Sequence, residues 1–215
     1  MAGPPIETDM LLYYAPGTCA LAPHIALEWT GSPYEVEKVE LRSEAYRAIN
    51  PMGTVPAMTD GGTRLLTQAD AILKYIVHRF PEADLGAGEG VMAEFNLNEA
   101  LAFLTGDVHP AFWPYFAPQR FTTQTDKESL EAVKNASYAR IDRVMAHLDG
   151  MLDGQMHVAN QKRTVADPYA FAMCRWTQNI PRPWTHYPAI ASFMNRMAAD
   201  PGVQAAMAAQ GLRID

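Results

Sequence analysis

The chain has 215 residues, 48% of them hydrophobic and 19% charged, enough to bury a core and too few for a large multidomain assembly. That balance, with no repetitive stretch, excludes disordered and fibrous classes. Acids outnumber bases by 24 to 17, a formal charge of -7, which argues against nucleic acid as the main ligand because phosphate contacts are made largely by Lys and Arg. No apolar run approaches the roughly 20 residues that cross a bilayer, so no membrane association is expected. The first nine residues, MAGPPIETD, carry acids where a signal peptide carries bases, and a cytoplasmic protein is expected. Cys19 and Cys174 fit neither a disulfide framework nor a paired metal motif, and the histidines are dispersed. Each cysteine reads as a lone thiol, and no metal is expected.

The predicted elements run β, α, β, α, β, β, α up to residue 80. Met10 to Tyr14 is a β-rich run, Thr18 to Thr30 has helical spacing, and Tyr34 to Leu41 alternates around Val36 and Val39. A short helix over Glu44 to Ile49 follows. Val55 to Met58 and Arg64 to Leu66, divided by Asp60-Gly61-Gly62, read as an antiparallel hairpin, which makes the sheet mixed. A helix begins after Thr67. Residues 81–90, PEADLGAGEG, read as a linker between a domain over 10–80 and a second over 91–215. The second is helical throughout, with helices expected over about 91–117, 126–153, 165–180 and 188–199 and a tail helix from about 203. In the long second helix, Leu130, Val133, Ala136, Ser137, Ala139, Ile141, Val144, Met145 and Leu148 recur at helical spacing and form its expected core face.

Three stretches carry candidate chemistry. Tyr14-Ala-Pro-Gly-Thr-Cys19 lies where a strand gives way to a helix, with Thr18 as the expected N-cap and Cys19 in the first turn. A helix N-terminus stabilises a thiolate by at most about 2 kcal/mol, enough to bring a thiol from about 8.5 towards 7. The competing reading is a small buried residue at a helix start. In Asn50-Pro-Met-Gly-Thr-Val-Pro56-Ala57 a proline opens what reads as a short edge strand. A cis Val55-Pro56 bond would leave the Val55 backbone free to pair with a peptide, although cis accounts for only about 5–6% of X-Pro bonds and an ordinary trans turn is favoured on that ground. Thr67-Gln-Ala-Asp70 has the pattern of a capping box whose N–H groups could receive a carboxylate, with Gln68 beside them. A second such pattern, Thr164-Val-Ala-Asp167, reads as structural, as do His24 and Cys174.

The combination resembles the glutathione S-transferase family, most closely its bacterial beta class. The likeness runs over about residues 10–212, through the stretches above and through His109-Pro-Ala-Phe-Trp-Pro-Tyr-Phe116, Arg175-Trp176 and Phe193-Met-Asn-Arg-Met-Ala198. It implies a thioredoxin-like α/β N-terminal domain, an all-α C-terminal domain, a homodimer, and glutathione as co-substrate for a small apolar electrophile. By this resemblance Cys19 contacts the glutathione sulfur, either as hydrogen-bond donor or through a mixed disulfide, and His109 reaches towards the same thiol. Val55 precedes the cis Pro56 and pairs with the cysteinyl part. Gln68 and Ala69 face the γ-glutamyl end, and Tyr14 lies near the site. The lysine that commonly meets the glycyl carboxylate has no clear counterpart, leaving Arg42 or Arg47 to stand in. Phe112, Trp113, Tyr115 and Trp176 line the pocket for the apolar co-substrate.

The implied activity is conjugation of glutathione to electrophiles, in the manner of a detoxifying enzyme, with thiol-transferase or peroxidase activity through Cys19. An isomerase or reductive dehalogenase would show the same residues. The other reading is a non-catalytic relative, a stringent-starvation-type partner of RNA polymerase or a carrier of apolar ligands. Ala69 lacks the hydroxyl that often stands there, and Ala102 replaces a frequent Asn, which keeps that reading open.

Overall fold

A computed structural model describes residues 9–213. Residues 1–8, within the segment read for a signal peptide, lie outside the described range. The described chain divides into two compact units, one of residues 9–86 with 198–213 and one of residues 87–197.

The first unit holds a four-stranded mixed sheet in the order β2-β1-β3-β4. β1 (Met10–Tyr14) is buried along almost its whole length because it has a neighbour on each side. It runs parallel to β2 (Glu35–Lys38) and antiparallel to β3 (Ala57–Asp60), and β3 pairs antiparallel with β4 (Leu66–Thr67). The expected mixed sheet and hairpin are both present. β3 is an interior strand, however, not the edge expected of it. Pro56 is tolerated because it lies just before the first paired residue, Ala57, so the ladder needs no N–H from it. The edges are the polar β2 and the two-residue β4.

α1 (Leu21–Thr30) links the parallel pair and is buried continuously from Leu21 to Leu27. It ends at Gly31, whose φ of 67° is the left-handed conformation that suits glycine. α2 (Glu44–Ile49) starts at Ser43, whose hydroxyl accepts from the Tyr46 N–H, and α3 (Ala69–Arg79) follows β4. α3 and the C-terminal helix α9 (Pro201–Ala209) both pack on α1. The tail helix therefore belongs to the sheet-containing unit although it follows all the helices of the second in sequence.

The second unit is helical. α4 (Val91–Phe103) passes through one π-helical turn, Leu104–Val108, into α5 (His109–Phe116). The single helix expected over 91–117 is broken in this way where Pro110, which has no N–H, cannot bond the Gly106 carbonyl. α6 (Lys127–Leu152), α7 (Ala166–Arg175) and α8 (Pro188–Ala199) complete it. The expected core face of α6 holds from Ser137 to Leu148 except at the exposed Ala139; before it Ala136 is exposed and Leu130 and Val133 are half-buried, because the first turns of this long helix have less to pack on. Among the described residues no helix is long and apolar enough to cross a membrane.

α7 is anchored by the Thr164-to-Asp167 pattern. The Asp167 carboxylate is fully buried, accepts from the Thr164 N–H at 2.8 Å and the Val158 N–H at 2.9 Å, and meets His157 Nδ1 at 3.3 Å. Removing it would leave two buried N–H groups without an acceptor. Asp167→Ala is expected to destabilise the protein by about 3–5 kcal/mol, read as a lower urea midpoint at unchanged slope.

Candidate glutathione and co-substrate sites

The sheet register gathers the expected glutathione-contacting residues at one end of the first unit. Tyr13 pairs with Ala57 and Ala57 with Thr67, so one step further along the ladders come Tyr14, Pro56 and Gln68. The loop carrying Cys19 leaves the same end of β1. Val55-Pro56 is cis, which corrects the trans turn favoured by frequency alone. The Cys19 Sγ–H donates to the Val55 carbonyl at 3.5 Å, so that carbonyl is occupied in the free protein. The segment before Val55 is held from behind: the Tyr46 hydroxyl donates to the Thr54 carbonyl at 2.9 Å and Asn50 Nδ2 to the same oxygen at 2.7 Å. Tyr46 carried no obvious signal as a positioning residue, being one aromatic in a six-residue helix.

Two details of capping differ from expectation. Thr18 is not the N-cap of α1: its hydroxyl donates to the Ala15 carbonyl at 2.7 Å and accepts from the Ala20 N–H at 3.3 Å in the turn before the helix, which starts two residues after Cys19, behind Ala20. Nor does Thr67 cap α3, since it belongs to β4. Gln68 takes the N-cap position with φ 73° and ψ 124°, and its side chain makes no capping bond. A non-glycine residue held there is strained, and such strain concentrates where a ligand is bound. Gln68 is exposed, while Ala69 is buried as the first residue of α3. Arg42 is an exposed turn residue with φ 64° whose backbone packs beside Gly53, and Arg47 is exposed on α2.

Cys19 is not the activated thiol that a place in the first helical turn implies. It precedes the helix and is buried, and loss of solvent pushes its pKa up to about 12 against a smaller lowering by a backbone hydrogen bond. Desolvation outweighs the helix dipole, and at neutral pH Cys19 is a neutral S–H donor. Cys174, in the middle of α7, is fully buried and its thiol is pushed up further.

In the second unit His109, directly after the π turn, packs on Trp176 at 4.9 Å and on Trp113 at 6.1 Å between ring centroids. Burial lowers its pKa to about 4, so it is neutral at physiological pH. Phe112 and Phe116 also meet Trp176, at 5.3 and 5.2 Å. Phe112 is fully buried and backs the cluster, whereas Phe116 and Trp113 are exposed across about half their surface. Tyr115 lies against Phe116 at 5.3 Å and against Tyr138 on α6 at 6.1 Å, so it does not meet Trp176 directly. Phe116 was not singled out from the sequence, and its spacing of four from Phe112 is the signal that could have found it. Clefts of about 270 Å³ and 570 Å³ on this unit contain none of the expected site residues; Ala102 lines the larger one. Among the described residues no group of three or more His, Cys, Asp or Glu could hold a metal ion.

Residues 17–79 match the family model for the glutathione S-transferase N-terminal domain and residues 107–210 that for its C-terminal domain. Over 211 residues the chain is 32% identical to glutathione S-transferase GstA of Escherichia coli O157:H7, covering 95% of this chain and all of that one. The chain belongs to the glutathione S-transferase family. Two solved structures each cover 94% of this glutathione S-transferase and all of their own chain at a TM-score of 0.83. One is a sphingomonad enzyme complexed with glutathione, 35% identical, and the other the bacterial beta class enzyme of Sphingomonas chungbukensis, 34% identical.

His24 also has its pKa lowered to about 4 by burial. An unfolded chain titrates both histidines near 6.5, so between about pH 6.5 and 4 the unfolded state binds more protons than the folded one. Stability is therefore lost as pH falls through that window. For His24 the loss should be on the order of 3 kcal/mol. Urea unfolding from pH 7 to pH 4.5 should show a falling midpoint, and His24→Gln should flatten that dependence.

Proposed function

We propose that this chain is a glutathione transferase that conjugates glutathione to small apolar electrophiles, acting in the cytoplasm as a homodimer. The observation that carries this reading is the Cys19 Sγ–H on the Val55 carbonyl beside the cis Pro56, with Tyr14 and Gln68 at the same end of the sheet. The backbone of Val55 is suited to pair with the cysteinyl part of the tripeptide, and Gln68 and the start of α3 with its γ-glutamyl end. Arg42, whose backbone packs beside Gly53, would receive the glycyl carboxylate.

Because Cys19 is protonated at neutral pH, its role in this reading is to release Val55 and donate its S–H to the glutathione thiolate. The glutathione sulfur then forms the new bond to the electrophilic carbon while the leaving group departs with its electron pair. His109, neutral and packed on Trp176 and Trp113, and the Phe112 and Phe116 rings that meet the same Trp176 make an apolar surface suited to the co-substrate. Thiol transfer through a mixed disulfide needs a Cys19 thiolate, which burial makes scarce, so it should be the slower activity.

Calorimetry with glutathione tests the reading: submillimolar binding is expected, and no binding at several millimolar would instead support a non-catalytic interaction protein. One hydrogen bond to a charged group contributes about 1.5–3 kcal/mol, so Cys19→Ala should lower kcat/KM for conjugation by about 10- to 100-fold. Cys19→Ser, which keeps a donor, should recover most of it, while reduction of hydroxyethyl disulfide should be lost in both. Trp176→Ala should raise KM for an aromatic electrophile several-fold with little change in KM for glutathione.

A further inference from the structure

The loop that carries Cys19 is held by a residue from the opposite end of the chain. Gln210, at the C-cap of α9, is 5% exposed, and its carboxamide makes two bonds into this loop and the helix behind it. The Gly17 N–H donates to Gln210 Oε1 at 3.3 Å, and Gln210 Nε2 lies 3.0 Å from His24 Nδ1, to which it donates. His24 is itself 1% exposed, with its ring against Tyr14 at 5.9 Å and Tyr34 at 5.7 Å. Two further contacts close the same seam. The Tyr14 hydroxyl donates to the Ala209 carbonyl at 3.4 Å, and the Leu212 side chain lies 3.6 Å from where a Cβ on Gly17 would be. Gly17 has φ 75°, so the turn two residues before Cys19 has a backbone conformation that few other residues would keep.

We propose that Gln210 is a positioning residue for Cys19: its amide oxygen fixes the Gly17 turn and its amide nitrogen ties that turn to His24, so that the C-terminal tail sets where the Cys19 thiol lies against Val55. A carboxamide suits this place because it offers one acceptor and one donor to two different partners, and a neutral imidazole suits Nδ1 because it can accept. Without this bridge the turn loses its tie to His24, and the Cys19 thiol is less firmly held against the Val55 carbonyl. The consequence for activity rests on the glutathione reading above; the consequence for the thiol does not.

Two variants and a readout without glutathione test this. Gln210→Leu removes both bonds. Gln210→Glu keeps an oxygen for the Gly17 N–H and places its second oxygen against His24, which can donate from Nδ1 in its other tautomer, so it should rescue. The rate of Cys19 alkylation by iodoacetamide is measured by mass spectrometry of the intact folded protein from pH 6 to 10. Gln210→Leu should react at least 10-fold faster than the wild type, with its pH profile displaced to lower pH. Gln210→Glu should stay within about threefold of the wild type with an undisplaced profile. In the leucine variant hydrogen exchange should speed up at the Gly17 amide and not at Leu12 in β1, which separates a loosened turn from general destabilisation. An alkylation profile in Gln210→Leu that matches the wild type would overturn the proposal. So would equal displacement in both variants, or exchange that rises equally at Gly17 and Leu12. If glutathione does not bind the wild type, the function proposed above fails while the alkylation result still decides the role of Gln210.

Discussion

Helix α1 is buried on every side from Leu21 to Leu27, with His24 the one polar side chain in that stretch, and such a helix must be covered all the way round. The sheet it connects covers one side. α3 and α9 pack against it as well, which is why the last helix of the chain lies with the first unit and not with the helices that precede it in sequence. Much of the candidate site is downstream of that requirement. The loop before α1 delivers Cys19 to the end of the sheet, the start of α3 presents Gln68 and Ala69, and the end of α9 supplies the carboxamide that meets Gly17.

Burial also decides the chemistry of the groups it brings together. A thiol near a helix start invites the expectation of a lowered pKa. Here the helix begins too late and solvent is too distant, so the desolvated charge is the larger effect and Cys19 stays protonated. The same loss of solvent lowers the pKa of His109 and His24, which are held neutral. A neutral thiol beside a backbone carbonyl and neutral imidazoles among aromatic rings avoid burying a charge in a protein that is already acidic.

The sequence made the order of elements legible because its periodicities are strong and its breaks chemical: Asp60-Gly61-Gly62 in the hairpin, and Pro16 and Gly17 after β1. The sheet register accounts for the convergence of Pro56 and Gln68, and the bond from Cys19 to the Val55 carbonyl brings the loop thiol beside them. What was illegible depended on distance along the chain or on a local competition. Thr67 resembles an N-cap, yet strand pairing with Ala57 claims it and Gln68 takes the position instead. Tyr115 and Phe116 are adjacent aromatics, and only the packing shows that Phe116 meets Trp176 directly while Tyr115 lies between Phe116 and Tyr138 of α6. Gln210 has no local pattern at all, since its partners lie 186 and 193 residues earlier.

That separation has a bearing on how the protein is made. Loop closure over nearly the whole chain precedes the contacts of α9 with α1, and such distant pairings form late. A nascent chain that has reached residue 86 possesses every strand of the sheet but still exposes one apolar flank of α1 until the last helix leaves the ribosome. During that interval the exposed flank is a surface for chaperones or for misassociation, and the helical unit, whose own residues are contiguous in sequence, can complete its packing first.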